Sequence, residues 1–214
     1  MIEENIIHEK VKEIKKQLRL AMNGIVSSHQ RSQGLNYKIN FGVEIPRLKA
    51  IAAERSHERE LALTLWKDNI RECKLLAIML LPKESYSEVA CTWTAEAPYT
   101  EIADHLAKNI LCTLPDALEN ALENIKKPEG LFRYCGYMTL THLFRAGKVL
   151  DSTQEQCYFN EAMVAADGSY GRSALLAARN SLAIYAECSE EATGRALTAF
   201  AAGGKEELLQ AILG

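Results

Sequence analysis

Four stretches decide the fold: RECKLLAIMLL at residues 71–81, EIADHLAKNIL at 101–111, RYCGYMTLTHL at 133–143 and RSALLAARNSL at 172–182. Each opens on a charged residue, continues with apolar side chains spaced as on one face of an α-helix, and closes on Leu ten residues later. Their starts lie 30, 32 and 39 residues apart, and the intervals leave room for second helices over 85–94, 116–126 and 155–166. Paired helices recurring at such a period predict an all-α chain, an α-α superhelix or solenoid of HEAT-like or armadillo-like helical repeats. The Trp/Gly/Tyr/Pro consensus of tetratricopeptide repeats is missing.

Upstream, Ile7, Val11, Ile14, Leu18 and Ile25 recur at helical intervals, with Lys10, Lys12, Lys15, Lys16 and Arg19 between them. This predicts a single amphipathic helix through most of residues 4–28, the core of an N-terminal helical segment over 1–30. The polar stretch SSHQRSQGLNYK (27–38) reads as a connection. Helical pattern resumes at Glu44-Ile45-Pro46, where proline suits the first turn, and stacked helix pairs are expected to fill 44–214 within one domain, 1–214. Pro82, Pro98, Pro115 and Pro128 all fall between apolar runs, and no alternating strand pattern of useful length exists.

Composition agrees with a helical core. Hydrophobic residues make up 48% of 214, and 12 Gly with 5 Pro are too few for a turn-rich β protein. Net charge is −3, yet residues 1–83 carry 15 Lys and Arg against 10 Asp and Glu, while 84–214 carry 10 against 18. The N-terminal part can therefore face a polyanion although the whole chain cannot act as a cationic coat. MIEENIIHEK lacks the basic-then-apolar pattern of a signal peptide. The longest apolar run, Leu75–Leu81, is far short of a membrane span. Cys73, Cys91, Cys112, Cys135, Cys157 and Cys188 contain no CxxC spacing and read as small core residues in a cytoplasmic protein.

Equivalent helices of a solenoid line one face, so repeat positions form rows. One row is Arg71, Glu101, Arg133 and Arg172, followed a turn later by Lys74, Asp104, Gly136 and Leu175. Arginines on a common track suit phosphate contacts; charged residues that merely begin helices at a solvent edge would give the same pattern.

The stretch NYKINFGVEIPRLKAIAAE followed by LALTLWKDNIRECKLLAIMLLPK resembles the opening of the AlkD-type DNA alkylation repair proteins. The residues that carry it are Gly42-Val43, Pro46-Arg47-Leu48, Leu65-Trp66 and Arg71-Glu72, with weaker likeness through residues 99–111, 136–144 and 173–187. The resemblance implies a HEAT-like fold with a concave basic groove gripping duplex DNA by its backbone, and a possible excision of N3- or N7-alkylated purines without a pocket for an extrahelical base. Because the alkylated base is already cationic, a carboxylate beside the deoxyribose can stabilise the developing oxocarbenium charge. The family's carboxylate falls on Asp104, and its two preceding aromatic residues on Tyr99 and on Thr100, where a Trp is replaced. Its active-site Arg falls on Gly136, with Arg133 one turn upstream as a substitute. The resemblance thus assigns catalysis to Asp104, Tyr99 and Arg133, and DNA contact to Arg47, Lys49, Lys67, Arg71, Lys74, Arg133 and Arg172.

A noncatalytic module binding DNA or a protein partner is the alternative, and the acidic C-terminal part suits a protein partner. Five histidines without HExxH or a close Cys predict no metal, and no cofactor is expected. Trp66, at apolar spacing, reads as core; Trp93 lies close enough in sequence to Asp104 to be considered as the missing ring. Gly203-Gly204 reads as a helix stop.

Overall fold

A computed structural model describes residues 2–214, with side chains from Glu4 onward. Among these residues are thirteen α-helices and two short 3₁₀ turns, with an isolated bridge between Ile39 and Ile70 as the β pairing. The chain divides into two compact units, residues 1–88 and 89–214.

The first unit holds α1 (Ile2–Leu20), α2 (Gly24–Ser32), α3 (Ile45–Ala53), α4 (Arg59–Lys67) and α5 (Arg71–Leu80). Helices α3 and α4 both pack on α5, and α1 packs on α4. Val11, Ile14 and Leu18 bury the apolar stripe of α1. The single N-terminal helix expected over 1–30 is two helices; its first residue lies outside those described. Asn23 breaks it. Its backbone is extended, and its side-chain Oδ1 accepts from Ile25 N at 3.1 Å and Val26 N at 3.2 Å, so it caps a new helix. The polar stretch read as a connection is correspondingly helical through Ser32.

The family-like motif around Gly42 has a structural cause. Buried Glu72 accepts from Phe41 N at 3.1 Å and Val43 N at 3.2 Å, while Arg71 Nη1 donates to Val43 O at 2.9 Å. The Arg-Glu pair at the start of α5 thus fastens the extended segment before α3. Gly42 adopts φ +69°, and a Cβ there would stand 2.3 Å from Asn23 O and 2.7 Å from Ser27 N. Only glycine permits this approach. Pro46 occupies the first turn of α3, as its sequence position predicts.

Helix α6 (Tyr86–Glu96) crosses the boundary between the units. The second unit continues with α7 (Thr100–Asn109), α8 (Ala117–Asn124), α9 (Phe132–Arg145), α10 (Ser152–Ala166), α11 (Gly171–Glu187), α12 (Glu190–Ala202) and α13 (Glu206–Leu213). Helix α9 packs between α7 and α11, with α8 against α9, α10 against α11, and α12 and α13 against α11. The second unit is a stack of helix pairs; α7, α9 and α11 are three of the four helices of the sequence repeat, and α5, the fourth, lies in the first unit. The core of the second unit is aromatic: Phe144, Tyr158, Phe159 and Tyr185 stand 5.2–5.7 Å apart between ring centroids. Gly204, at φ +68°, follows the end of α12.

The cysteines correct their reading in part. Cys73 and Cys135 are buried, but Cys112 and Cys157 are half-buried and Cys91 and Cys188 are exposed. Helical spacing alone does not tell the core side of a helix from its margin. Among the described residues no helix is long and apolar enough to cross a membrane.

Candidate active site and nucleic-acid interface

Asp104 stands on α7, half-buried, one turn after Glu101. Its Oδ1 accepts a hydrogen bond of 2.8 Å from the phenol of Tyr134 on α9. Burial raises the Asp104 carboxyl above its ordinary range; the Tyr134 hydrogen bond opposes that, and the nearby Glu101 adds to it. The same neighbourhood pushes the Tyr134 phenol upward, through burial first and the Asp104 charge second. Tyr134 therefore remains a neutral donor near neutral pH. Tyr134 was not foreseen as a site residue: nothing in the spacing of 104 and 134 pairs them, although position 134 is aromatic where the equivalent helix starts carry Glu72, Ile102 and Ser173.

Tyr99 is the N-cap residue of α7, half-buried, with extended backbone; its carbonyl accepts from Ile102 N and Ala103 N at 3.1 and 3.2 Å. Thr100 is the first residue of that helix. Trp93 is buried within α6, and Trp66 is buried in the core as its spacing predicts.

Arg133 is used elsewhere. Its Nη1 donates to Lys127 O at 2.9 Å and its Nη2 to Lys126 O at 3.0 Å. It thereby satisfies carbonyls just beyond the end of α8, where the helix dipole also favours a cation. Its guanidinium carbon lies 3.6 Å from the centroid of the Tyr170 ring. Gly136, where the resemblance puts the family's Arg, is the contact between α9 and α8. A Cβ there would lie 2.7 Å from Ile125 Cγ2, 2.8 Å from Ala121 O and 2.9 Å from Ile125 N. No side chain fits at that position without displacing backbone, and the Arg133 guanidinium is engaged by the carbonyls of Lys126 and Lys127.

Two of the seven expected DNA contacts are interior. Arg71 is 2% exposed, fixed to Val43 O and 3.1 Å from Glu72. Lys74 is 9% exposed, donates to Trp66 O at 2.8 Å, and sits 4.3 Å from the Trp66 ring centroid. Burying charges is tolerated here because each is hydrogen-bonded and paired with a charge or a ring. Arg47, Lys49 and Lys67 in the first unit and Arg172 in the second are exposed and make no ion pair with any described residue. Among the described residues no three His, Cys, Asp or Glu side chains gather as a metal site.

A family model described as DNA alkylation repair enzyme matches residues 14–164. A solved structure of a protein described as belonging to "a new family of proteins related to the HEAT-like repeat DNA glycosylases with affinity for branched DNA structures" aligns with a TM-score of 0.71. That alignment has 18% identity and covers 88% of this chain and 80% of the other. No curated protein matches the chain. The structural likeness establishes the fold, stacked HEAT-like repeats. The family match runs from α1 into α10, over more than two thirds of the chain, and the chain belongs to the DNA alkylation repair enzyme family.

Proposed function

We propose that this protein binds DNA through its sugar-phosphate backbone, branched as well as duplex, and does not excise alkylated purines. The observation that carries the second half of this reading is the occupation of Arg133. With its guanidinium committed to the carbonyls after α8 and Gly136 closed to any side chain, no cation among these two positions holds a phosphate beside Asp104. Asp104 itself is engaged by Tyr134, and Thr100 offers no ring to stack on a deoxyribose. A carboxylate that accepts one hydrogen bond keeps its charge and can still stabilise an oxocarbenium ion, so the noncatalytic reading rests on the missing cation and ring and not on the Tyr134 contact.

Support for the first half comes from family membership and from the exposed, unpaired cations. Arg47, Lys49 and Lys67 remain as backbone contacts in the first unit and Arg172 in the second. Contacts of this kind position nucleic acid without reading its sequence. The affinity of the structural neighbour for branched DNA extends the ligand class beyond continuous duplex.

Incubation with duplex DNA containing 7-methylguanine or 3-methyladenine, beside Asp104→Asn, tests the reading. Expected are salt-sensitive binding by both proteins and no base release by either. Release that disappears in Asp104→Asn would overturn the noncatalytic reading and make Asp104 the catalytic carboxylate. Absence of DNA binding even at low salt would favour a protein partner on the acidic second unit.

A further inference from the structure

Residues 14–43 contain no aspartate or glutamate, in a chain with 28 acids among 214 residues, yet they contain Lys15, Lys16, Arg19, Arg31 and Lys38. Lys15 is paired with Asp68 at 2.9 Å. Lys16, Arg19, Arg31 and Lys38 are exposed and make no ion pair with any described residue. In the middle of this stretch the corner between α1 and α2 holds Leu20, Met22 and Ile25 in solvent, at 81%, 61% and 85% exposure. They are three of the four most exposed large apolar side chains among the described residues.

The corner is built to be firm. Asn23 caps α2 through its side chain, and its N–H donates to Phe41 O at 2.9 Å. Ser27 Oγ donates to Asn40 O at 2.8 Å, and Asn40 Nδ2 to Gln30 Oε1 at 2.8 Å. Three apolar side chains thus project from a fixed turn within a field of positive charge. The buried face of α1, through Val11, Ile14 and Leu18, is already used inside the unit. What remains outward is an apolar point rather than a stripe. A helix lying on a lipid surface needs a long apolar face, whereas apolar side chains set among cations suit insertion against a base step.

We infer that the Leu20–Met22–Ile25 corner is a wedge that packs on the exposed base-pair face at a DNA branch point, while Lys16, Arg19, Arg31 and Lys38 contact phosphates of the adjoining arms. This inference rests on the DNA-binding reading above and assigns residues to it. In a continuous duplex every base-pair face is covered by its neighbour, and apolar insertion must first unstack a step. A branch point whose arms are unstacked, the open form taken without divalent cations, has already uncovered such a face, so the wedge supplies structure selectivity while the cations supply affinity for any backbone.

The test compares the full chain with two variants, Leu20→Ser/Met22→Ser/Ile25→Ser and Arg19→Gln/Arg31→Gln. Each is titrated by fluorescence anisotropy, without divalent cations, against an immobile four-way junction and against a linear duplex of equal length closed by hairpins. The apolar variant should lose about tenfold in junction affinity while duplex affinity stays in place. The charge variant should weaken on both and show a shallower salt dependence. Should the triple variant melt early, the single variants Leu20→Ser and Ile25→Ser give the same comparison on a folded chain. An unchanged junction-to-duplex ratio in the apolar variants overturns the wedge and leaves DNA binding standing. A parent protein that binds neither DNA overturns both. Capture by phosphatidylserine vesicles that the apolar variant abolishes, with junction binding intact, would assign the corner to a membrane surface instead.

Discussion

Asp104 concentrates the physics of the candidate site. A half-buried carboxylate loses hydration, gains one hydrogen bond from Tyr134, and has Glu101 as a like-charged neighbour on the same helix. Desolvation is the largest of the three effects, so the folded state holds the Asp104 proton to higher pH than the unfolded chain does. The folded state binds more protons across that interval, and stability therefore falls as pH rises from the ordinary value of 3.8 through the raised one. Asparagine keeps an oxygen to accept from Tyr134 and removes the charge. Asp104→Asn should accordingly stabilise the protein at pH 7, solvent screening of a partly exposed group keeping the gain small. The gain should vanish below the ordinary aspartate range. Urea unfolding at pH 7 and at pH 3.5 checks both statements, and equal stability of parent and variant at both pH values would contradict them.

At the scale of helices, Gly136 explains why the second unit stacks so closely there. Helix α8 approaches α9 until backbone atoms Ala121 O and Ile125 N occupy the space of a Cβ. Alanine would gain helix propensity but force backbone apart, which flexible side chains cannot relieve. Gly136→Ala should cost roughly 2 kcal/mol net, and lower the melting temperature by roughly 5 °C; calorimetry is the measurement. The helices themselves were legible because a 3.6-residue period and the position of each proline are local signals. The starts of α5, α7, α9 and α11 fall within one residue of the pattern's charged openings. The α1–α2 break was not legible, because Asn23 caps α2 while Phe41 and Gly42 come from far along the chain to meet it. The site was read only in part for the same reason. Asp104 could be named from its motif, but the Tyr134 partner and the diversion of Arg133 to α8 depend on how three helices meet. Arg71 and Lys74 look like DNA contacts in sequence because charge alone does not tell burial.

For the molecule as a whole, charge divides along the same line as the fold. Residues 1–88 carry 15 Lys and Arg against 12 Asp and Glu, and residues 89–214 carry 10 against 16. With Arg71 and Lys74 buried, the exposed cations of the first unit include Arg47, Lys49 and Lys67, the groups to which the proposed DNA contact falls. On the proposed reading, a net-negative second unit opposes nonspecific accumulation on DNA, and affinity comes from phosphate contacts that release counterions one by one. The salt dependence then counts those contacts, with a slope in log K against log salt of about 0.9 per phosphate on duplex. Arg47→Gln/Lys49→Gln should lower duplex affinity at fixed salt and reduce the magnitude of that slope by about 2, with the melting temperature unchanged because both side chains are exposed. Arg172→Gln tests whether a cation of the acidic unit shares in the contact: a slope reduced by about 1 would include it. An unchanged slope would confine the interface to the first unit. Equal slopes for the parent and the Arg47→Gln/Lys49→Gln protein would remove α3 from the interface and leave the carboxylate-free stretch of residues 14–43 to carry it.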